Sequence, residues 1–136
     1  MLAEKKRILI VDDEEEIIQF VLRAILNKRS QVYEPVVCVD GYEALEILRK
    51  HKVALVLLDI QMRSMDGIEV CERCHQEKAL RSVPILVVSG MLQDENKQKL
   101  RGLGVKGFLD KPFLMDQLLS KIDALIQEPP TSFYLT

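Results

Sequence analysis

The stretch Ala54–Met62, which reads ALVLLDIQM, decides the predicted fold of this chain. Five consecutive apolar residues end at Leu58, and the carboxylate of Asp59 follows them directly. A short aliphatic run without polar alternation is typical of a strand that is buried on both faces. Packing alone does not explain an acid at the exit of such a strand, so Asp59 becomes the first candidate functional residue.

Strand and helix patterns alternate along the whole chain. Five short apolar runs are predicted as strands: Arg7–Val11, Pro35–Val39, Val53–Leu58, Pro84–Val88 and Lys106–Leu109. A segment with helical periodicity or a helix-capping acid follows each of them. The predicted helices run through about Asn27, from Asp40, from Asp66, over Asp94–Leu103 and over Pro112–Ile126.

Five strand–helix units with nearly continuous aliphatic strands predict an α/β fold. We expect a flavodoxin-like, doubly wound parallel sheet, (βα)5, with strand order 2-1-3-4-5 and helices on both faces. In that order the chain direction reverses between strands 1 and 3, and ligands bind where those two strands end. The residues directly after Val11 and Leu58 are therefore the expected site.

Three acids are predicted to meet at this position. Asp12 and Asp13 follow strand 1, and Asp59 follows strand 3. Without a counter-ion, each pair of carboxylates 4 Å apart would repel by roughly 4 kcal/mol at an effective dielectric constant near 20. A shared cation removes this repulsion, and oxygen ligands suit a hard divalent ion, most simply Mg²⁺. The alternative is that Asp12 or Asp13 only caps the following helix.

Two further polar residues end strands at the same predicted edge. Ser89 follows strand 4, and Lys111 follows strand 5. Taken singly, Ser89 is explained as a turn residue and Lys111 as a solvated charge. Together with Asp59 and a metal ion they supply a hydroxyl donor and a cation, the groups that a phosphoryl group with three anionic oxygens requires.

Composition and charge exclude several classes of protein. Apolar residues make up 48% of the 136 residues, and 19 Lys and Arg against 21 Asp and Glu give a net charge of −2. This balance does not fit direct nucleic-acid binding, which concentrates positive charge. The apolar runs are too short to span a membrane, and the N-terminus lacks a signal-peptide pattern, so we expect a cytoplasmic protein.

The segment CERCH, Cys71 to His75, matches a haem-attachment pattern. Ile68, Cys71 and Cys74 recur at helical spacing, so both thiols are predicted to face a core rather than a haem or a metal. His51, just past a predicted helix, is likewise interpreted as a structural residue and not as a haem or metal ligand.

The sequence as a whole resembles the receiver domain of two-component response regulators, over about Lys6 to Gln127. Four landmarks carry the resemblance, in order and at family spacing: ILIVDDEEE, LVLLDIQMRSMDG, PILVVSG and GFLDKPF. We therefore expect residues 1–127 to form a receiver domain and residues 128–136 to be a C-terminal tail or the start of a linker. One departure is Arg63, which stands where the family often has proline.

The resemblance implies a role for each site residue. Asp59 is the expected phosphoacceptor, and Lys111 and Ser89 are expected to bind phosphoryl oxygens. Mg²⁺ is expected on Asp13 directly and on Asp12 largely through water, with Asp59 and the backbone carbonyl of Gln61. The Lys111–Pro112 peptide bond is expected to be cis.

The resemblance also implies how the signal passes on. A sensor histidine kinase or phosphotransfer protein would supply the phosphohistidine, and a downstream protein or output domain would bind the surface of helix 4, strand 5 and helix 5. Ser89 and Phe108 are the expected switch residues, although Phe108 also fits plain core packing. Gln61 and Met91 stand at the positions on which slow autodephosphorylation depends.

The chain is therefore expected to be a phosphoacceptor rather than an enzyme in its own right. The alternative that stays open is a degenerate receiver that binds partners without phosphorylation. A flavin carrier is excluded because DDEEE, Asp12 to Glu16, would repel the flavin phosphate. A phosphohydrolase whose nucleophile follows strand 1 would place the chemistry on Asp12 instead of Asp59.

Overall fold

The structure, a computed structural model, describes residues 4–90 and 92–126. Strands and helices alternate through ten elements: β1 Lys6–Val11, α1 Glu15–Lys28, β2 Tyr33–Cys38, α2 Gly41–Lys50, β3 Leu55–Asp59, α3 Gly67–Gln76, β4 Ile85–Ser89, α4 Asp94–Gly102, β5 Gly107–Asp110 and α5 Met115–Ile126. The predicted tail, residues 128–136, lies outside the described residues. None of the described helices is both long enough and apolar enough to cross a membrane.

All five strands are parallel and lie in the order β2-β1-β3-β4-β5. This confirms the predicted fold class and strand order. In the register, Val11 lies beside Leu58, and Asp59 lies beside Val88. The residues that follow β1 and end β3 are thus neighbours at one edge of the sheet.

The sheet separates two hydrophobic cores because successive side chains of a strand point to opposite faces. In β1, Ile8 and Ile10 pack with α1 and α5, whereas Leu9 and Val11 pack in the core that includes α2, α3 and α4. β3 is buried along its whole length, as its aliphatic run predicts. The helices therefore cover both faces, as expected.

Three elements, β2, β3 and α5, begin more than one residue from the predicted position, and β3 begins at Leu55 rather than Val53. β2 begins at Tyr33 rather than Pro35, because β1 begins at Lys6 and its ladder pairs Lys6 with Tyr33. α5 begins at Met115 rather than Pro112. There the backbone N–H of Leu114 donates to Gln117 Oε1 at 2.8 Å, so a glutamine three residues on caps the helix start.

The positions of Cys71 and Cys74 confirm the prediction that the thiols of CERCH face a hydrophobic core. Cys71 and Cys74 are buried on the inner side of α3. Burial raises the pKa of Cys71 to about 12 and that of Cys74 to about 11, which disfavours the thiolate needed to bind a metal. The apolar periodicity of α1 predicts an inward face of Ile17, Phe20, Val21, Ala24 and Ile25, and the structure buries the last three of these together with Ile18.

Gly67 allows the loop after β3 to pass close beneath the site. A Cβ at this position would lie 2.6 Å from the carbonyl oxygen of Asp59 and 2.7 Å from Cα of Ile60. The backbone N–H of Gly67 also donates to the carbonyl of Ile60 at 2.8 Å. A side chain here would displace the backbone that carries Asp59.

We therefore expect Gly67→Ala to lower the free energy of unfolding by roughly 1–3 kcal/mol, the range typical of overpacking. Gly102→Ala is the matched control, because a Cβ there has no heavy atom within 4 Å. Removing backbone freedom should leave that variant neutral or about 0.5–1 kcal/mol more stable. Denaturant titrations measure both values, and equal stabilities of the two variants would contradict the steric argument.

Candidate functional site

The carboxyl ends of four strands bring the predicted site residues together. Asp12 follows β1, Asp59 ends β3, Ser89 ends β4 and Lys111 follows β5. The exposed fractions are 3% for Asp12, 2% for Asp59 and 3% for Ser89. Setting aside tyrosine and cysteine, these are the only buried polar residues in the part of the chain that the structure describes. The buried polar residues therefore all belong to one site.

Lys111 is the cation at the centre of this site. Its Nζ lies 3.5 Å from Asp12 Oδ2, 3.5 Å from Asp59 Oδ1 and 2.8 Å from Glu14 Oε1. Its backbone N–H donates to the carbonyl of Ser89 at 2.8 Å, which fixes the start of the side chain. The Lys111–Pro112 peptide bond is cis, as the resemblance implied.

Glu14 is a site residue that the sequence analysis missed. Carboxylate oxygens of Asp12, Glu14 and Asp59 lie within 4.8 Å of one another, close enough to hold one metal ion. The sequence places Glu14 in DDEEE, where an acid at a helix start has an ordinary explanation. Its short contact with Lys111 depends on a residue 97 positions away, so no local pattern indicates it.

The side chain of Asp13 and the backbone of Gln61, both predicted to bind the metal, are not part of the cluster formed by Asp12, Glu14 and Asp59. Asp13 Oδ2 accepts a hydrogen bond from the backbone N–H of Arg63 at 3.2 Å and lies 3.7 Å from Arg63 Nε. The backbone N–H of Gln61 donates to Asp59 Oδ1 at 3.2 Å. Arg63, the departure from the family pattern, thus forms an ion pair with a predicted metal ligand.

The electrostatics of the site show an imbalance. Burial, followed by the charge of Asp12, raises the pKa of Asp59 from its ordinary 3.8 to about 6. Burial also raises the pKa of Asp12, against a hydrogen bond from the backbone of Glu14 and the charge of Lys111. Burial acts to lower the pKa of Lys111, but the bond to Glu14 and the nearby aspartates raise it overall. One cation does not offset these three carboxylates.

Two buried polar atoms of the site have no hydrogen-bond partner, namely Asp59 Oδ2 and Ser89 Oγ. Buried polar atoms are nearly always paired, so these two indicate a ligand. A hard cation that prefers oxygen ligands fits the clustered carboxylates, and a phosphoryl group fits the Ser89 hydroxyl and Lys111. The residues present therefore fit Mg²⁺ together with a phosphoryl group.

Phe108 lies in β5, three residues before Lys111. Its side chain is half-buried and packs against the core on the α2–α4 side of the sheet. Cations of α4 flank its ring, with Arg101 Cζ at 5.1 Å and Lys97 Nζ at 5.9 Å from the ring centroid.

Met91, which with Gln61 is the residue implied for autodephosphorylation, lies outside the described residues.

The raised pKa of Asp59 predicts a pH-dependent cost to stability in metal-free protein. The folded value of about 6 lies above the ordinary 3.8, so the folded state binds the proton more tightly. Stability from this group is therefore lost as the pH rises from about 4 through about 6. With a chelator at pH 7.5, Asp59→Asn should be more stable than the parent by roughly 1–3 kcal/mol.

Denaturant titrations at pH 4.5 and pH 7.5 measure this difference. Asp40→Asn is the control: Asp40 follows β2 at the same edge and caps α2, a role that asparagine fills equally well. A stability difference for Asp59→Asn that does not grow with pH would contradict the assigned charge balance.

Comparisons with known proteins agree with this geometry. The family model for the response regulator receiver domain matches residues 8–123. The alkaline phosphatase synthesis transcriptional regulatory protein PhoP of Bacillus subtilis (strain 168) is 33% identical over 124 residues, a match that covers 90% of this chain and 49% of that protein. The signal transduction histidine-protein kinase BarA of Shigella flexneri is 33% identical over 111 residues, covering 82% of this chain and 12% of that protein.

A solved structure shows the same arrangement. The chemotaxis protein CheY4 of Vibrio cholerae superimposes with a TM-score of 0.81 at 28% identity, covering 90% of this chain and 99% of that one. The chain spans about half the length of PhoP, the first of these relatives. Sequence, strand order and the buried acids together show that this chain belongs to the response regulator receiver domain family of two-component signalling.

Proposed function

We propose that this chain accepts a phosphoryl group on Asp59 from the phosphohistidine of a sensor histidine kinase or phosphotransfer protein. One observation carries the proposal: Asp59 Oδ2 is buried, has no hydrogen-bond partner and belongs to a carboxylate 3.5 Å from Lys111 Nζ. A structural acid would use both oxygens, whereas this one leaves an oxygen for an incoming group.

The two oxygens of Asp59 have different roles in the proposed transfer. Oδ1 accepts the backbone N–H of Gln61, which orients the carboxylate, and Oδ2 attacks phosphorus. An O–P bond forms as the P–N bond breaks, and its electron pair returns to the imidazole of the donor. Lys111 offsets charge on one phosphoryl oxygen, and the hydroxyl of Ser89 donates to another.

We assign Mg²⁺ to the same site. Asp12, Asp13, Asp59 and the backbone carbonyl of Gln61 would hold it, and Glu14 adds a carboxylate within reach. When bound, Mg²⁺ supplies positive charge that stabilises the phosphoryl oxygens. The chain supplies half of the active site, so it is a phosphoacceptor that assists its own phosphorylation and its slow autodephosphorylation.

Phosphorylation would change the surface formed by α4, β5 and α5. The added charge of about −1.5 to −2 gives Ser89 a strong acceptor and draws its loop inward. Phe108 then rotates into the space that this movement opens, and the changed surface binds a downstream protein or output domain. A nearly complete switch requires roughly 5.5 kcal/mol of differential stabilisation, which several charge-assisted hydrogen bonds supply.

Labelling with a small phosphodonor tests the proposal. In the presence of Mg²⁺, acetyl phosphate should add one phosphoryl group to the protein, and intact-mass spectrometry detects it. Asp59→Asn should abolish the label and chelation should prevent it, because the nucleophile or the charge compensation is lost. Asp40→Asn, which alters another acid at the same edge, should label as the parent does.

Two results would favour other functions. Undiminished labelling of Asp59→Asn together with loss of labelling in Asp12→Asn would favour the phosphohydrolase alternative. Absence of Mg²⁺-dependent labelling from folded protein would favour a degenerate receiver that binds partners without phosphorylation.

Glu14 provides a second test of the proposal. Its carboxylate already binds the ammonium group of Lys111, so an incoming phosphoryl oxygen would compete with it for that group. At saturating Mg²⁺, Glu14→Gln should label about three-fold faster, since it releases Lys111 and removes one negative charge from the entrance. Glu15→Gln is the matched control: it removes the same charge from an exposed side chain of α1 whose carboxylate accepts a hydrogen bond from Gln19 Nε2 at 3.0 Å. Equal rates for both variants would show that the contact of Glu14 with Lys111 does not limit labelling.

A further inference from the structure

Arg63, beside the phosphoacceptor site, has a backbone that the core holds in place and a side chain that solvent surrounds. It lies in the loop between β3 and α3, residues 60–66. Met62 and Met65 on either side of it are buried, with exposed fractions of 8% and 1%. The side chain of Arg63, in contrast, is 93% exposed. The guanidinium group can therefore change position without any movement of the loop backbone.

Two groups of Arg63 contact the same oxygen of Asp13. The backbone N–H donates to Asp13 Oδ2 at 3.2 Å. The side-chain Nε lies 3.7 Å from this oxygen, which is too long for a hydrogen bond but close enough for an ion pair. Proline, which the family often has here, provides neither contact, because it lacks both the N–H and the charge. This chain thus directs a hydrogen-bond donor and a cation at a carboxylate that is expected to bind Mg²⁺.

Lys111 and Arg63 contact different carboxylates of the site. The Nζ of Lys111 lies 3.5 Å from two of the three clustered acids and 2.8 Å from the third. Arg63 lies instead beside Asp13, whose side chain is 18% exposed. A metal ion that used Asp13 together with the clustered acids would meet a positive charge already present on one of its ligands. Cations repel one another, so this charge opposes binding of the ion.

These two cations also differ in how firmly they are held. The side chain of Lys111 is only 13% exposed, and its backbone N–H donates to the carbonyl of Ser89. The ion pair of Arg63 with Asp13 is open to water, and exposed pairs of this kind contribute little to stability. A divalent ion at Asp13 would therefore displace the guanidinium of Arg63 into water and leave Lys111 in place.

We propose that Arg63 weakens Mg²⁺ binding by competing with the ion for the carboxylate of Asp13. In metal-free protein the guanidinium offsets part of the negative charge of Asp13, and it moves into water when the ion binds. This inference rests on the proposed function, which assigns Mg²⁺ to Asp13, and it adds a residue of this chain that sets the metal affinity. Phosphorylation of Asp59 would then require more free Mg²⁺ than in a chain without this arginine.

The contacts of Arg63 favour an effect on the metal over a direct contact with the phosphoryl group. Lys111 Nζ lies 3.5 Å from an oxygen of Asp59, the proposed nucleophile. Arg63 makes both of its contacts with Asp13 instead. An effect on metal affinity and an effect on phosphoryl transfer can be measured separately.

Thermal unfolding at increasing concentrations of MgCl₂ tests this inference without any phosphorylation. Mg²⁺ that binds the folded protein raises the unfolding midpoint, and the concentration at which the rise begins reports the affinity. Arg63→Gln removes the charge and keeps the backbone N–H, so we expect it to bind Mg²⁺ about three-fold more tightly than the parent. Electron paramagnetic resonance of Mn²⁺, which prefers the same oxygen ligands, measures the dissociation constant directly.

Two matched variants make the result specific. Arg63→Lys keeps a positive charge at the same position and should bind Mg²⁺ within about two-fold of the parent. Arg23→Gln removes the same charge from an exposed position of α1, roughly 12 Å along the helix axis from Glu15, and should bind as the parent does. The advantage of Arg63→Gln should also shrink as KCl is added, because salt screens exposed charges. Circular dichroism confirms that each variant is folded.

Several results would overturn the inference. Equal Mg²⁺ affinities of Arg63→Gln and the parent would show that the ion pair does not affect the metal, and an equal gain in Arg23→Gln would assign the effect to net charge. Slower labelling of Arg63→Gln by acetyl phosphate at saturating Mg²⁺, with unchanged metal affinity, would assign Arg63 to the phosphoryl group. Binding of neither Mg²⁺ nor Mn²⁺ by any of the proteins would also overturn the metal assignment of the proposed function, which distinguishes the two failures.

Discussion

Buried carboxylates that a single ammonium group does not offset place the main constraint on this structure. Asp12 and Asp59 are almost inaccessible to water, and Lys111 Nζ lies 3.5 Å from an oxygen of each. Burial raises the pKa of both acids, so their ionised forms are held at a cost in free energy. A divalent cation and a phosphoryl group are ligands that reduce this cost, and the reactivity proposed for Asp59 follows from it.

The rest of the fold tolerates this site because apolar packing surrounds it on both faces of the sheet. Two separate cores hold the strands, so the four strand ends keep their positions despite the charges between them. β5 also connects the phosphoacceptor site with the surface of α4, β5 and α5: Lys111, just after the strand, contacts the acids, and the ring of Phe108, within it, lies beside two cations of α4. A movement at Lys111 therefore has a short route to the proposed partner surface.

Local patterns account for the parts of this protein that the sequence predicted correctly. Aliphatic runs such as Leu55–Leu58 require burial on both faces, and this requirement leads to a parallel sheet with covering helices. Once the strand order follows, the position of Asp59 at a strand end brings it next to Asp12 without any knowledge of side-chain positions. The start of β2 at Tyr33 was not predicted, because it is set by the pairing of Tyr33 with Lys6 of β1 and not by local propensity.

The order of apolar runs and acids along the chain was enough to predict the fold, the edge of the sheet where the acids meet, and Asp12 and Asp59 as two of those acids. The contact of Glu14 with Lys111, the ion pair of Asp13 with Arg63 and the position of two α4 cations beside the ring of Phe108 became known from the folded structure alone. The difference arises from the distance along the chain over which each interaction acts. Hydrophobic periodicity acts over a few neighbouring residues and is written in the sequence, whereas charged side chains pair across elements, where distances depend on how whole helices and loops pack.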